Sequence, residues 1–409
     1  MNILIVTQYF WPEEFRINEL GVLLAERGHR ITVLTGIPNY PGGKLFPGYG
    51  LTRKRSEQYN GLKVIRVPLI PRGKGGRLRL ILNYISFAFT ASILGPMKCH
   101  DAYDVIFVYE PSPITVGLPA IVMKMIKSTP IVFWVQDLWP ESLSAAGAIN
   151  SQTVINVVRG LVRFIYSRCD RILVQSRSFI DAIVRLGVDR SKIEYFPNSA
   201  EAVFDDAARN AEVAELIGYL NGFKVMFAGN IGASQDFESI LGAAESLKEY
   251  KNIHWIIIGD GRMFPWVQEQ VNKRGLSDTF HLLGRHPLAL MPAFFAQANV
   301  MLVSLKKKPI FALTIPAKVQ SYLACSRPII AAIDGEGARV VEDAAAGLTC
   351  PPEEPGLLAK TVLQASKMPA EDLEEMARRG RYYFEKNFDS TTLVNRLEGW
   401  FAEVAGKKK

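Results

Sequence analysis

Three cationic side chains in the second half of the chain lie either just after a predicted strand or in the first turn of a predicted helix. They are Arg285 in Leu-Leu-Gly-Arg, Lys306 in Val-Ser-Leu-Lys and Lys318 in Ile-Pro-Ala-Lys. Open α/β sheets bind ligands at the carboxyl ends of their strands. The sequence contains no Asp-x-Asp, the pattern that would hold a metal-bridged diphosphate, so phosphate charge would be met by Arg, Lys and helix N-termini. A lone Lys is more often a solvated surface charge, but three in one half favour a phosphate site.

A glycine-bearing loop, Gly229-Asn230-Ile231-Gly232, follows another apolar run in the same half. It matches neither the dinucleotide fingerprint nor a Walker A loop. The loop is either a plain turn from strand to helix or a turn whose amides meet a phosphate or a sugar oxygen. The first strand is followed by residues 7–12 without a glycine, which argues against a dinucleotide cofactor.

The elements that would position these groups form two similar halves, one opening at Met1 and the other near Phe223. Apolar runs of four to six residues alternate with helical patterns, which indicates buried parallel strands with crossover helices. Strands are predicted near 2–7, 31–35, 63–67, 105–109, 131–135, 172–175, 224–228, 254–258, 280–283, 300–303, 328–331 and 348–350. The fold class is therefore α/β, with two doubly wound domains facing each other across a cleft. We expect domains at 1–200 and 201–385, and a helix at 386–409 that packs back on the first domain.

The composition is that of a globular protein in a reducing compartment. With 409 residues and 48% apolar content, the chain can build two cores. The four cysteines are widely spaced and fit no zinc pattern with the five histidines, so we expect free thiols. The chain enters a strand without a signal-peptide pattern, which predicts a cytoplasmic protein.

The net charge of +8 favours an anionic partner, either nucleic acid, nucleotide phosphate or an acidic membrane. Arg72, Lys74, Arg77 and Arg79 precede a segment, 80–97, that contains no charged residue. This segment is at the lower limit of length for a membrane span. Its polar residues and Gly95-Pro96 leave two other interpretations open, a buried crossover helix or an interfacial helix with its basic flank on anionic headgroups.

Several longer motifs resemble family 4 retaining glycosyltransferases of the GT-B fold, from Met1 to at least Phe388. The motifs are Gly28-His29, Phe-Ala-Gly229-Asn-Ile-Gly, Ile-Ile-Gly259-Asp-Gly261, Leu-Gly284-Arg285, Ser304-Leu-Lys, Lys318-x-x-Ser-Tyr-Leu-Ala-Cys-Ser-Arg-Pro328 and Val341-Glu-Asp-Ala-Ala-Ala-Gly347-Leu. Residues 8–18, the Ile37-Pro-Asn-Tyr-Pro-Gly42 loop and Asp137-Leu-Trp-Pro-Glu141 are similar to the branch that contains O-antigen N-acetyl-L-fucosamine transferases and colanic-acid glycosyltransferases.

This resemblance implies transfer of a sugar, N-acetyl-L-fucosamine or another 6-deoxy or amino sugar, from a UDP-sugar to a polyprenyl-diphosphate-linked saccharide. The transfer would retain the anomeric configuration, need no metal or other cofactor, and serve O-antigen or capsule synthesis at the inner face of the plasma membrane. Nucleic acid is not an expected partner.

The resemblance also implies residue roles. Lys318 and Asp137 would be catalytic, with a cap of the turn that follows Asp137 as the open alternative for that carboxylate. Donor contacts would come from Arg16, Gly229, Asn230, Gly232, Gly259, Arg285, Lys306, Thr314, Ile315, Pro316, Lys318, Gln320, Ser321 and Glu342. Acceptor contacts would come from Glu13, Asn18, Asn39, Tyr40, Asp137, Trp139 and Glu141.

The sequence departs from the family at two glutamates that usually contact the donor sugar and the ribose. Leu313 and Ser321 stand at these positions, and Gln320 or Ser321 is expected to hold the ribose weakly. The usual Arg and Lys after the first strand of the second domain are also replaced, which leaves Arg285, Lys318 and Arg16 to neutralise the diphosphate.

Two alternatives remain open on the sequence. A sugar-nucleotide epimerase or hydrolase of the same architecture would need no lipid acceptor, so 80–97 would then be core. An inactive scaffold in a polysaccharide-assembly complex would account for the lost glutamates.

Overall fold

The computed structural model describes residues 1–73, 76–142, 151–200, 204 and 211–406, and the chain divides into two compact units. The first unit comprises Met1–Pro197 and Val394–Lys409, and the second comprises Asn198–Leu393. The chain leaves the second unit at Val394, eight residues later than the expected limit at 386. Lys74 lies outside the described residues.

The first unit is built on an eight-stranded sheet. Its strands are β1 (Asn2–Val6), β2 (Arg30–Gly36), β3 (Ser56–Tyr59), β4 (Leu62–Val67), β5 (Val105–Glu110), β6 (Ile131–Val135), β7 (Arg171–Val174) and β8 (Ile193–Tyr195). They lie in the order β3-β4-β2-β1-β5-β6-β7-β8. Neighbours are parallel except β3, which pairs antiparallel with β4. The edge strands β3 and β8 were not predicted, because each is short and lacks an apolar run.

The helices of the first unit carry the crossovers between parallel strands, as the alternating pattern predicts. They are Arg16–Glu26, Arg77–Lys98, Gly117–Lys127, Gln152–Ser167 and Ser178–Arg185, with short 3₁₀ turns at Ile114–Val116 and Arg190–Lys192. The last helix, Ser390–Gly406, returns to this unit, where Phe401 packs edge-on against Phe107 and Glu398 pairs with Arg27 at 2.8 Å.

The helix Arg77–Lys98 connects β4 to β5 and has two different faces. One face is buried through Asn83, Phe87, Ala88, Ala91 and Gly95. The other face carries an exposed row that we call the apolar stripe, made of Leu78, Ile81, Leu82, Ile85, Phe89, Ile93 and Met97. The helix is long and apolar enough to cross a membrane by length and composition, but its buried face makes it part of this unit. Full burial as a core helix is therefore wrong.

The second unit has a six-stranded, fully parallel sheet. Its strands are β9 (Phe223–Ala228), β10 (Ile253–Ile258), β11 (Phe280–Gly284), β12 (Val300–Ser304), β13 (Ile329–Ala332) and β14 (Gly347–Cys350), in the order β11-β10-β9-β12-β13-β14. Its helices are Ala211–Ile217, Phe237–Ser246, Phe264–Lys273, Met291–Ala296, Pro309–Ala312, Ala317–Ala324, Glu336–Asp343, Pro355–Ser366 and Ala370–Asn387, with a 3₁₀ turn at Leu288–Leu290.

The four cysteines, Cys99, Cys169, Cys325 and Cys350, are buried and form no disulfide bond, which confirms that expectation from their spacing. Each thiol is therefore a small apolar group of the cores.

Candidate functional site

Each sheet has one point where the direction of chain progression reverses. In the second unit this switch lies between β9 and β12, and in the first unit it lies between β1 and β5. Ligands of open α/β sheets bind outside the carboxyl ends of the strands at such points. The candidate site is therefore two half-sites, one in each unit.

Two glycine loops approach each other at the switch of the second unit. Gly229 has φ +136°, and a Cβ atom built on it would lie 2.6 Å from Cε of Lys318. Gly259 has φ +137°, and its Cβ would lie 1.9 Å from the carbonyl oxygen of Gly229. Only glycine fits both positions, because a side chain at either one would collide with backbone or with the lysine.

Lys318 lies in the first turn of helix Ala317–Ala324 and turns back toward the Gly229 loop. Its Nζ donates to Oε1 of Gln235 at 2.8 Å and lies 3.8 Å from the centroid of the Phe227 ring. Among the described residues, no carboxylate forms an ion pair with it. Burial therefore lowers the pKa of Lys318 to about 7. A lysine with this pKa is only partly protonated at neutral pH, and a phosphate bound beside it would stabilise the protonated form.

The other predicted phosphate ligands lie at different depths. The backbone amide of Lys306 donates to the carbonyl of Ser234 at 2.9 Å, which ties the loop after β12 to the loop after β9. Asn230 is exposed and Gly232 is buried within the same loop. Arg285 is exposed after β11, two strands from β9, or about 10 Å away in the sheet. The structure thus brings Lys306 and the Gly229 loop together and leaves Arg285 farther out.

The segment that leads into the Lys318 helix is compact. Thr314 Oγ1 donates to the carbonyl of Phe311 at 3.3 Å, Ile315 is buried, and Pro316 stands just before the helix. Leu313 directly follows the short helix Pro309–Ala312. The apolar side chain at this position stands where the resemblance expects a carboxylate.

The expected ribose contacts of Gln320 and Ser321 are not supported by the structure. Both side chains are buried. Gln320 Nε2 donates to the carbonyl of Asn198 at 2.6 Å, and Ser321 Oγ donates to the carbonyl of Ala317 at 3.2 Å. Their hydrogen bonds stabilise the second unit instead, because a buried polar group needs a partner.

Glu342 lies near the end of helix Glu336–Asp343, where its side chain is exposed. It accepts a hydrogen bond from Thr349 Oγ1 at 2.7 Å. With Asp334, Gly335 and Arg339 it borders an open depression on the second unit. Its predicted donor contact stays a prediction.

At the switch of the first unit, Asp137 follows β6 and interacts with Ser112 of the loop after β5. Burial raises the pKa of Asp137 to about 6, and the hydrogen bond with Ser112 opposes this shift. The carboxylate is still ionised at neutral pH, but it can accept a proton slightly below it. The contact with Ser112 holds the carboxylate in place, and both roles of Asp137, an acceptor contact and a cap of the following turn, stay predictions.

Glu110 is a feature of this half-site that the sequence analysis missed. It is the last residue of β5 and is fully buried, and its carboxylate lies close to the backbone amides of Gln136 and Asp137. Burial, and secondly the nearby Asp137, raise the pKa of Glu110 well above its usual range. The sequence does contain a signal for Glu110, since an acidic residue ends the otherwise apolar run of β5.

Arg72 and three tyrosines complete the group around Asp137. Arg72 Nη1 lies 3.5 Å from the Tyr9 hydroxyl, and its guanidinium lies 5.0 Å from the centroid of the Tyr40 ring. Burial raises the pKa of Tyr84, which Arg72 lowers and Asp137 raises, so the Tyr84 hydroxyl lies within electrostatic range of both. Tyr84 lies in an uncharged segment, and nothing in the sequence pattern singled it out.

Three predicted acceptor residues brace the loops of the first unit. Glu13 is buried and accepts hydrogen bonds from the backbone amides of Asn39 and Tyr40, each at 2.7 Å, and burial raises its pKa to about 7. Asn18 Nδ2 donates to the carbonyl of Glu13 at 2.7 Å. Asn39 is fully buried, and its Oδ1 accepts from the backbone amide of Arg72 at 3.0 Å. These contacts hold the loops in place and do not support direct contact with an acceptor.

The remaining predicted residues differ in exposure. Tyr40 is partly exposed and packs against Tyr9, and Glu141 is exposed. Trp139 is buried, and its Nε1 has no partner among the described residues. Arg16 lies 3.6 Å from Glu19 and lowers the pKa of the buried Tyr109, which places it near the end of β5. Of these, Tyr40, Glu141 and Arg16 have surface that a ligand can reach.

No group of three His, Cys, Asp or Glu side chains in the described part of the chain is arranged to hold a metal ion. The prediction of a metal-independent reaction therefore stays a prediction.

Two family models match the chain in sequence. Residues 14–199 match the Glycosyl transferase 4-like domain, and residues 222–367 match the Glycosyl transferases group 1 model. Together they cover most of the chain, with one model in each compact unit.

Curated relatives match at lower identity. The chain is 29% identical over 266 residues to the probable glycosyltransferase WbjE of Pseudomonas aeruginosa, a match that covers 63% of this chain and 64% of that relative. It is 24% identical over 336 residues to the putative colanic acid biosynthesis glycosyl transferase WcaI of Escherichia coli (strain K12), covering 79% of this chain and 81% of that relative. The chain thus aligns with slightly less than two thirds of the length of WbjE.

Solved structures confirm the predicted GT-B fold. Anabaena Alr3699/HepE, solved in complex with UDP, has a TM-score of 0.70 at 14% identity and covers 98% of this chain and 100% of its own. Sucrose-phosphate synthase from Thermosynechococcus elongatus has a TM-score of 0.71 at 14% identity, covering 99% of both chains. At this identity the likeness concerns the fold alone.

Proposed function

Because the chain belongs to the glycosyltransferases that join a Glycosyl transferase 4-like domain to a group 1 domain, we propose that it transfers a sugar from a UDP-sugar to a polyprenyl-diphosphate-linked saccharide. The proposed transfer retains the anomeric configuration. The product belongs to a bacterial surface polysaccharide such as O-antigen or capsule. The name of WcaI supports polysaccharide synthesis, and the UDP complex of Alr3699/HepE supports a UDP-linked donor.

The observation that carries the proposal is the position of Lys318 against the Gly229 loop. Its ammonium is held by Gln235 and the Phe227 ring, and its Cε lies only 2.6 Å from the position that a Cβ atom on Gly229 would take. A preorganised cation with no internal anion suits a group whose negative charge grows during reaction. We assign the β-phosphate of the donor to this position.

In the proposed step the acceptor hydroxyl attacks the anomeric carbon as the bond from that carbon to the β-phosphate oxygen breaks. The departing phosphate oxygen lies on the same face and takes the hydroxyl proton, so the products are UDP and the new glycoside. Lys318 and the amides of Asn230 and Gly232 stabilise the charge on the leaving diphosphate. The amides of Gly229 and Ile231 already donate to the carbonyls of Ile258 and Asp260, each at 2.8 Å, and shape the loop. No metal is required by this step.

Asp137 orients the acceptor. Its carboxylate lies in the first unit beside Ser112 and is ionised at neutral pH, so it can accept a hydrogen bond from an acceptor hydroxyl. A second hydroxyl of the sugar, or the reacting one, fits this role.

The donor sugar is proposed to be N-acetyl-L-fucosamine or another 6-deoxy amino sugar. Leu313 stands where a hydroxyl-binding carboxylate would be expected, and an apolar side chain suits a methyl group. A fully hydroxylated sugar would leave a polar group unpaired there, which costs about 1–3 kcal/mol.

The protein is proposed to act at the inner face of the plasma membrane as a peripheral protein. The apolar stripe and the exposed Arg77 and Arg79 at its start support this, because apolar insertion and basic charge act together on an anionic surface.

The direct test combines donor binding with transfer. Thermal shifts with UDP, GDP and their sugars identify the base, and mass spectrometry of a polyprenyl-diphosphate saccharide follows the addition of one sugar. We expect stabilisation by UDP and a product heavier by one sugar residue. Consumption of the donor without any glycosylated product would indicate a hydrolase and contradict the proposal.

A further inference from the structure

Arg72 is a cation that the first unit holds in place without an internal anion. Its backbone amide is fixed by Asn39, and its guanidinium lies 5.0 Å from the Tyr40 ring and 5.9 Å from the Tyr9 ring. Among the described residues no carboxylate forms an ion pair with Arg72. The side chain is only partly exposed, unlike Arg77 and Arg79.

The fixation of Arg72 extends through several layers of the unit. Asn39, which holds its amide, is itself fixed by Glu13 through its own backbone amide at 2.7 Å. Asn83, buried on helix Arg77–Lys98, approaches the same Asn39 Oδ1 at 3.4 Å. A planar guanidinium that is positioned in advance loses little entropy when it binds an oxyanion with two hydrogen bonds.

The surroundings of Arg72 indicate which anion fits. On one side are the Tyr9 and Tyr84 hydroxyls, and Tyr84 lies within electrostatic range of Asp137. On the other side, five residues along the chain, begins the helix that carries the apolar stripe. From Leu78 to Met97 this stripe extends about 28 Å, which is 19 rises of about 1.5 Å along the helix axis. The anion would therefore stand between a polar sugar site and an apolar surface.

We propose that Arg72 binds the diphosphate group that joins the acceptor saccharide to its lipid, with the saccharide toward Asp137 and the lipid along the apolar stripe. The inference rests on the proposed function, and it gives Arg72 a role different from the general attraction to headgroups that its basic neighbours provide. The Tyr9 hydroxyl, 3.5 Å from Nη1 of Arg72, helps to position the guanidinium.

The test compares Arg72→Gln with Arg79→Gln, which removes the same charge from an exposed position. Two water-soluble acceptors carry the same sugar, one linked through a diphosphate to a short alcohol and the other a plain alkyl glycoside. We expect Arg72→Gln to raise KM at least about tenfold for the diphosphate acceptor alone, as loss of a bidentate charge-assisted contact predicts. KM for the donor should not change. Arg79→Gln should change KM for neither acceptor. Arg72→Lys should raise KM for the diphosphate acceptor less than Arg72→Gln does.

A second measurement does not depend on turnover. Titration calorimetry with a short-chain alkyl diphosphate should show binding to the wild type and to Arg79→Gln, and weak or absent binding to Arg72→Gln. Binding to vesicles of anionic phospholipid should fall with Arg79→Gln and remain with Arg72→Gln. Equal diphosphate affinity in all variants would overturn the assignment, as would loss of vesicle binding as the main effect of Arg72→Gln. Absence of transfer with retained, Arg72-dependent diphosphate binding would refute the proposed function instead.

Discussion

Replacing Lys318 by Ala removes the buried cation that lies against the Gly229 loop in the second unit. Deleting a preorganised donor to developing charge typically costs a factor of about 10²–10³ in kcat, or about 2.7–4 kcal/mol. We expect a loss in this range at saturating UDP-sugar. Lys307 is an exposed lysine in the loop after β12, and Lys307→Ala is the matched control, which should retain near wild-type kcat.

The pH dependence tests the same assignment independently. The folded-state pKa of Lys318 is about 7, so the charged form that binds a diphosphate disappears as the pH rises through 7. We expect the affinity of the wild type for UDP to fall above pH 7, while Lys318→Met shows a flat, weaker profile from pH 7 to 9. Isothermal titration at several pH values measures this.

The free energy of unfolding should rise with pH over the range in which the affinity for UDP falls. The pKa in the unfolded chain is near 10.4, above the folded value, so the unfolded state binds more protons between pH 7 and 10. Lys318 therefore lowers the free energy of unfolding most below pH 7. This penalty shrinks as the pH rises, by at most about 1.4 kcal/mol per pH unit. Lys318→Met should be more stable than the wild type below pH 7, with a difference that shrinks at higher pH. Near wild-type kcat in Lys318→Ala, or a pH-independent UDP affinity, would remove Lys318 from the mechanism.

Further predictions concern the metal, the acceptor carboxylate, the membrane face and the sugar. Activity should survive excess EDTA, and abolition by the chelator that added Mg²⁺ reverses would contradict the metal-free step. Asp137→Asn should lower kcat/KM for the acceptor, and the wild-type profile should lose activity as the pH falls through about 6, where the carboxylate becomes protonated; an unchanged acid limb in the variant would refute this. Changing Ile85 and Phe89 of the apolar stripe together to Gln should weaken co-sedimentation with anionic vesicles without lowering kcat on soluble acceptors, whereas unchanged co-sedimentation would show that the stripe is not the anchor. A 6-deoxy donor such as UDP-N-acetyl-L-fucosamine should exceed UDP-N-acetylglucosamine in kcat/KM by at least about tenfold, and equal values would end the argument from Leu313.

The fold could be predicted from sequence because its central strands are almost uniformly apolar. All residues of β5 and β6 are buried, and such strands read as continuous hydrophobic runs between helical patterns. The pattern failed at the edges of the first sheet. β3 is made of Ser-Glu-Gln-Tyr and has only one neighbour, so no apolar face was required of it and no periodic signal was left.

Candidate site residues could be identified from sequence most clearly where the residue type has few other structural roles at such a position. Gly229 and Lys318 stood out in the sequence because one opens a glycine-bearing loop after an apolar run and the other lies in the first turn of a predicted helix, whereas Gly259 came only from the family resemblance. The structure adds the positive φ and the close contacts that require glycine at 229 and 259. Glu13 and Asn39 could not be separated from ligand-binding residues in the same way, since a carboxylate or amide that braces a loop has the same composition and spacing as one that contacts a sugar.

The sequence also could not distinguish Arg72 from Arg79. The difference between these two residues links the proposed diphosphate site to the proposed membrane face of the first unit. In sequence both belong to one basic flank of an uncharged segment, which predicts a single electrostatic role. In the structure Arg72 is fixed through Asn39 beside two aromatic rings, whereas Arg79 is exposed on the helix. A fixed guanidinium contributes specificity for one oxyanion, and an exposed one contributes attraction that salt screens. The salt dependence of vesicle binding should therefore come from Arg77 and Arg79, while recognition of the diphosphate by Arg72 should remain at ionic strengths that release the protein from the membrane.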